Sequence, residues 1–226
     1  MMIERMLVFG ATTEGGIGEA IAMEGRAFSQ YMETPSPGEF DVRDHESTVE
    51  WFKAHGPYDA VVYSAGVQYL GMLNNLDMYD IDQIFQVNVV GFINVLQGLV
   101  KTQASGRVCA ISSLAGRQPF SGSIGYCASK AALNHAIRCA ARELKQGWQI
   151  TGVVPATVAG TQLTYSVDRQ VMEIRQWDHD ELIKQERDRQ PFGRRIHTDE
   201  IAQLVLSILT GPMCMTGSVV DIAGGA

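Results

Sequence analysis

The sequence predicts an α/β fold in which a parallel sheet is covered by helices on both faces. Two observations carry this. Short, β-rich apolar runs alternate with helix-period segments along the chain, and a glycine-rich turn joins the first run to the first helix. No internal repeat, low-complexity tract or linker interrupts the alternation. Residues 1–226 are therefore read as one domain, long enough to bury a core without disulfides or metals.

Met6–Phe9 reads as the first strand and Ile17–Glu24 as a short helix. Ala27–Tyr31 is the second strand, followed by a Pro/Ser turn over Met32–Gly38. Phe40–Val42 is a short third strand. His45–His55 is a helix with Val49, Trp51 and Phe52 on its apolar face, and Asp59–Tyr63 is the fourth strand. Asp77–Gln103 is a long helical stretch, with Ile81, Ile84, Phe85, Asn88, Phe92, Val95 and Leu99 near helical spacing. Arg107–Ile111 (fifth strand), the Ala-rich helix Ile124–Leu144 and Gln149–Val154 (sixth strand) follow. Gly160–Arg189 is a helical, mobile segment. Thr198–Leu209 is a helix with Asp199 and Glu200 in its first turn, and Ser218–Ile222 closes the series as the seventh strand.

Composition narrows the function classes. Net charge is −7, from 25 acids and 18 bases, with no basic stripe of the kind that neutralises phosphates, so a nucleic-acid partner is not expected. No apolar run approaches about 18 residues, so no membrane span is expected. Cys109, Cys127, Cys139 and Cys214 form no CxxC and no Cys/His ligand spacing, which argues against a metal site. The N-terminus runs straight into a short apolar strand without a signal-peptide pattern, and a reducing cytoplasm is the expected location. The 23 glycines exceed the usual share of about 7% and follow no collagen-like period, so they serve turns or ligand loops.

The first strand ends in Phe9-Gly10-Ala11-Thr12-Thr13-Glu14-Gly15-Gly16-Ile17-Gly18. A strand, a glycine turn and a helix start make an anion site, because glycine lets the backbone approach a pyrophosphate and the first helical N–H groups point at it. Such turns are also common without a ligand. Tyr126-Cys127-Ala128-Ser129-Lys130 places a phenol and an ammonium four residues apart on one helical face. A neighbouring ammonium favours the phenolate and lowers its pKa, which makes Tyr126 a candidate general acid/base. A surface Tyr beside a solvated Lys has the same spacing. Ser113, in Ile111-Ser112-Ser113-Leu114, ends the fifth strand, where ligands of open α/β sheets bind. A turn or capping serine reads the same way.

Together these residues resemble the short-chain dehydrogenase/reductase family, nearly end to end. Gly10…Gly16-Ile17-Gly18 is similar to its TGxxxGIG. Asp59-Ala60-Val61-Val62-Tyr63-Ser64-Ala65-Gly66 is similar to DxxVNNAG. Asp41-Val42 resembles the acid beside the adenine, and Asn88, Ser113, Tyr126 and Lys130 match the catalytic set. Pro155-Ala156 stands for Pro-Gly, and Thr216-Gly217 with Gly224-Gly225 matches the C-terminal TG…DGG segment. The glycine loop is two residues longer than the family pattern, Tyr63-Ser64 replaces two amides, and Ala156 replaces a glycine.

The resemblance implies a Rossmann-type doubly wound sheet of about seven parallel strands, with the helix between strands 2 and 3 missing. It also implies a substrate lid near residues 160–189. Its implied activity is NAD(P)-dependent hydride transfer to or from a small carbonyl or alcohol substrate. Tyr126 would move the proton and Ser113 would orient the oxygen. Lys130 would tune Tyr126 and hold the nicotinamide ribose, and Asn88 would sustain a proton path by kinking its helix. Cofactor contacts are expected from Gly10, Thr12, Gly15, Gly16, Ile17, Glu33, Asp41, Val42, Ser64, Ala65, Gly66, Tyr126, Lys130, Pro155, Ala156 and Val158. NAD(H) is favoured over NADP(H), because Glu14-Gly15 and Met32-Glu33-Thr34 lack the Arg or Lys expected near a 2′-phosphate.

In the lid, Leu163, Tyr165, Val167, Met172 and Trp177 either line an apolar pocket or pack the lid onto the body. Gln118 and Arg117 follow Ser113 closely enough to reach substrate, Arg117 being more often a surface residue. The resemblance also implies a homodimer or homotetramer, built in that family by the counterparts of the Ala-rich helix and Asp77–Gln103. The alternative function is a catalytically silent dinucleotide-binding regulatory or scaffold protein, motivated by the altered glycine loop and the lost amides. Reduction of a carrier-bound acyl ketone is disfavoured by the chain's own negative charge.

Overall fold

The first strand, β1 (Ile3–Phe9), sits inside the sheet because both of its faces are apolar. Met6 and Val8 pack on one side and Leu7 and Phe9 on the other. The computed structural model describes residues 2–144 and 146–226. Helix α1 (Ile17–Gly25) follows β1. The N–H groups of Ala27 and Phe28 turn back onto the Glu24 and Gly25 carbonyls. The second strand, β2 (Ser29–Glu33), therefore starts and ends two residues later than the sequence reading.

The remaining elements are α2 (His45–His55), β3 (Ala60–Tyr63), α3 (Met78–Phe85), α4 (Gly91–Thr102), β4 (Gly106–Ile111), α5 (Ile124–Glu143), β5 (Trp148–Pro155), α6 (Gln162–Arg175), α7 (His179–Arg189), α8 (Thr198–Thr210) and β6 (Val219–Ile222). The sheet has six strands in the order β2-β1-β3-β4-β5-β6, all neighbours parallel. Helices α1 and α8 cover one face with a core of Ile21, Ile201 and Val205. Helices α2, α4 and α5 cover the other with Phe52, Phe92, Leu99 and Leu133.

Phe40–Val42 is not a strand, so the count is six rather than seven. The backbone there is spent on turns. Glu39 and Phe40 donate to the Ser36 carbonyl, and the Asp41 carboxylate accepts the Arg43 N–H. Pro35 and Pro37 have no N–H to give a ladder. Phe40 instead closes an aromatic cluster, 5.2 Å from Phe9 and 5.4 Å from Trp51 between ring centroids. No helix separates β2 from this segment, as expected, and β2 is left as the sheet edge.

Helices α3 and α4 are joined by a π turn over Gln86–Val90 and run as one rod. Met78–Thr102 spans 25 residues and is apolar enough, by length and composition, to cross a membrane; 50% of its apolar window is buried inside this fold. The mean composition, rather than any single apolar run, gives it that character.

Candidate active site

After β1 the chain turns to β2 on one side, then crosses back to β3 on the other. This reversal opens a crevice between the carboxyl ends of β1 and β3. Gly10 closes its floor. Its φ is 74°, and a Cβ there would lie 2.6 Å from the Ser64 carbonyl carbon, so glycine alone permits this approach. At Gly18 a Cβ would run into the Gly10 carbonyl, so α1 sits directly on the loop. Gly16 is the N-cap of α1 and offers no side-chain cap. Among the described residues no protein group accepts from the Ile17 or Gly18 N–H. Free helix-start donors over a glycine floor fit a dinucleotide pyrophosphate.

The loop's extra residues behave differently. Thr12 and Gly15 point outward, away from the cavity. The Gly15 N–H donates to the Glu19 carboxylate at 2.7 Å. A Cβ on Gly15 would be 3.1 Å from the Gly160 carbonyl, at the start of the lid.

Ser113 follows β4 and caps the short turn Leu114–Gly116, its Oγ accepting the Ala115 N–H at 3.2 Å. Tyr126 and Lys130 lie one turn apart near the start of α5, both buried. Burial pushes the Tyr126 phenol up to about 12, while a hydrogen bond with Ser113 pulls it down. Burial also draws the Lys130 ammonium down to about 8. The anticipated lowering of Tyr126 by Lys130 is therefore not what this site shows. Lys130 Nζ donates to the Ile111 carbonyl at 3.0 Å and sits 5.6 Å from the Tyr126 ring centroid. Desolvation is the dominant cause of the upward shift.

One cavity of about 400 Å³ joins these parts. Gly10, Gly16, Ile17, Ser64, Ala65 and Gly66 line its phosphate and ribose end. Ser113, Tyr126, Lys130, Pro155, Ala156 and Val158 line its middle. Asn88 stands behind this wall. Its Oδ1 accepts the Val67 N–H at 2.9 Å, and its Nδ2 donates to the Val67 carbonyl and Ser129 Oγ, each at 3.0 Å. Asn88 lies within the π turn, so the expected distortion of its helix is present, and its side chain braces the Gly66–Val67 segment.

Besides Thr12 and Gly15, three expected cofactor contacts lie outside the cavity: Glu33, Asp41 and Val42. The Glu33 carboxylate accepts from Arg5 Nη2 at 2.5 Å and Tyr58 Oη at 2.7 Å, which draws it toward the opposite end of the sheet. The shortened connection after β2 ends the strand opposite Leu7, short of Gly10. The Asp41 carboxylate is held by Arg43, and that guanidinium holds its carboxyl below the usual range. Val42 is buried beneath Gly91 and Asn94, whose Nδ2 donates to its carbonyl.

Helix α6 and helix α7 form the lid, separated by Gln176 in the left-handed region. Leu163, Val167 and Trp177 line the cavity, whereas Tyr165 and Met172 do not. Gln118 lines it too, while Arg117 turns away to Asp221 and the Val219 carbonyl. Arg195 locks the lid to the body, donating to Asp168 at 2.8 and 2.9 Å and to Glu186 at 2.6 and 2.9 Å. Burial alone lowers that guanidinium, but the two carboxylates hold it above its ordinary value. Sequence reasoning missed Thr13, Phe120, Val171, Ile174 and Leu182, all of which line the cavity. The 4-4-3 spacing of Leu163, Val167, Val171 and Ile174 is the signal that marks them as one face.

A profile of the short chain dehydrogenase family matches residues 29–171. The chain belongs to that family. Among curated short chain dehydrogenase relatives, the L-xylulose reductase of Caenorhabditis elegans is 33% identical over 177 residues, 76% of this chain and 66% of the relative. The chain thus spans just under two thirds of that relative's length. The L-xylulose reductase of Bos taurus is 28% identical over 190 residues, 82% of this chain and 74% of the relative. The fold is also that of solved members. A polyketide ketoreductase bound to NADPH superposes with TM-score 0.88 at 23% identity, covering 98% of this chain and 96% of its own. The ligand-free aldohexose dehydrogenase of Thermoplasma acidophilum superposes with TM-score 0.83 at 22% identity, covering 99% and 94%.

Proposed function

We propose that this short chain dehydrogenase interconverts a small carbonyl compound and its alcohol, with NAD(P)(H) as cofactor and Tyr126 as general acid/base. One observation carries the reading. A single cavity runs from the free N–H groups of α1, past Gly66, to Ser113, Tyr126 and Lys130. When bound, the nicotinamide supplies or accepts the hydride. Ser113 Oγ donates to the substrate oxygen and orients it. Tyr126 Oη gives that oxygen a proton in reduction and takes one in oxidation. Lys130 holds the ribose hydroxyls and returns positive charge to the phenol's surroundings. Asn88 holds the Gly66–Val67 wall, and its π turn keeps a proton path behind Lys130.

NAD(H) is the preferred cofactor in this reading. Arg43, near the expected adenine wall, is committed to Asp41 and Gln83, which leaves it poorly placed to hold a 2′-phosphate. Ile93 and Val100 are exposed apolar residues on α4 and support a homodimer or homotetramer.

Replacing Tyr126 with Phe tests the assignment. Turnover is expected to fall by on the order of a thousandfold or more, while the dissociation constant for the cofactor stays within about threefold, which is under 1 kcal/mol. Unchanged turnover in this variant refutes the proton role.

A further inference from the structure

Resting on the reductase reading, we propose that the substrate carbonyl carries an apolar chain or ring that lies along α6, and that polyhydroxylated carbonyls such as ketopentoses are poor substrates. Leu163, Val167, Val171 and Ile174 fall on one face of α6 and line the cavity, with Trp177 and Leu182 of the following segment beside them. Leu70 and Phe120 line it from the body of the protein.

Along the middle of α6 the polar groups on the lid wall are already satisfied, while Gln162 and Arg175 stand at its two ends. Thr161 Oγ1 donates to Thr164 Oγ1 at 2.8 Å, and Thr164 Oγ1 donates to the Val158 carbonyl at 2.7 Å. Asp168 and Glu186 are taken up by Arg195. A hydroxyl laid against the Val167–Ile174 stretch of α6 therefore gives up its water and gains no partner, and the loss is paid in full. A methylene there gains on leaving water. Side chains that line the cavity without a protein partner among the described residues include Gln68, Gln118 and Gln162. Gln68 and Gln118 come from the loops that carry Gly66 and Ser113, so they suit polar atoms next to the reacting carbonyl rather than along the tail.

The test uses the full chain saturated with whichever dinucleotide binds. Straight-chain carboxamides of four to ten carbons are titrated calorimetrically, as unreactive mimics of a carbonyl with an apolar tail. Methyl ketones of the same lengths and L-xylulose are then compared in turnover. Affinity and kcat/KM are expected to rise about fourfold per methylene until the cavity is filled. The binding heat capacity should become more negative with length, and the longer ketones should exceed L-xylulose by about a hundredfold or more in kcat/KM. The isosteric Val171→Thr change is expected to weaken long-chain binding by about fivefold or more, with the half-exposed Ile174→Thr as the second variant should Val171→Thr fail to fold.

No chain-length dependence in the carboxamides, or L-xylulose turned over as well as the ketones, overturns the proposal. Chain-length-dependent binding with no turnover of any ketone upholds the apolar subsite and overturns the reductase reading instead.

Discussion

Lys130 carries its charge where burial opposes it. Its folded pKa of about 8 lies below the ordinary lysine value of 10.5, so between these pH values the unfolded chain holds more protons than the folded one. Stability from this group therefore rises with pH across that window, and the full penalty applies below about 8. Lys130→Met removes a burial cost on the order of 3 kcal/mol at pH 7, offset by about 1 kcal/mol for the Ile111 carbonyl left without its donor. The variant should melt several degrees higher than the parent at pH 7 while losing turnover, and the gain should shrink as pH rises from 8 to 10.5. Calorimetric melting across that range checks it; a variant less stable at every pH contradicts it. At this scale Ser113, Tyr126 and Lys130 were legible in the sequence because each sits at a fixed offset from a strand or helix end. Glu33 was not, because its partner Arg5 lies 28 residues away and only the fold brings the two together.

Among the elements, the lid depends most on one side chain. Arg195 ties α6 and α7 to the segment before α8 through Asp168 and Glu186, and all three are largely buried. Breaking such a cluster from one side costs about 3–5 kcal/mol because charge is left unpaired. That cost should fall on local opening of the lid rather than on the whole fold. Arg195→Leu is expected to speed tryptic cleavage within α6 and α7 by about tenfold or more, the equivalent of at least 1.4 kcal/mol in local opening, with a smaller change in global melting. Equal cleavage rates for variant and parent would dismiss the clamp. The lid was legible as a helical segment, but its two-helix form was not. The break at Gln176 uses a left-handed residue that is not glycine, which leaves no breaker in the sequence to read. The Phe40–Val42 strand failed for the complementary reason: Phe40 and Val42 pack as strand residues would, yet the segment's backbone bonds to nearby turns and to the Asn94 side chain rather than to a neighbouring strand.

For the whole molecule, the alternation of strands and helices was enough to read a parallel sheet, and the reversal between β1 and β3 places the crevice. The adenosine side was less legible. In a shortened connection the same residues that would reach a ribose are used to close the sheet edge and its aromatic cluster. A dinucleotide that binds only the folded chain stabilises all of it by mass action. NADH at a hundred times its dissociation constant should add about 2.7 kcal/mol, a rise of roughly 5–10 °C for a chain of this size. NADPH at the same concentration should give the smaller rise in a thermal melt. An equal or larger rise with NADPH reverses the proposed preference.

The close approach of Gly15 to the Gly160 carbonyl, where a side chain would be crowded, ties two segments together. The phosphate loop and the root of the lid meet there backbone to backbone, with no side chain to act as a cushion. Whatever steadies the loop also steadies the root of the lid. In the proposed reaction, a dinucleotide held by the loop would therefore also brace one edge of the wall that faces the carbonyl compound.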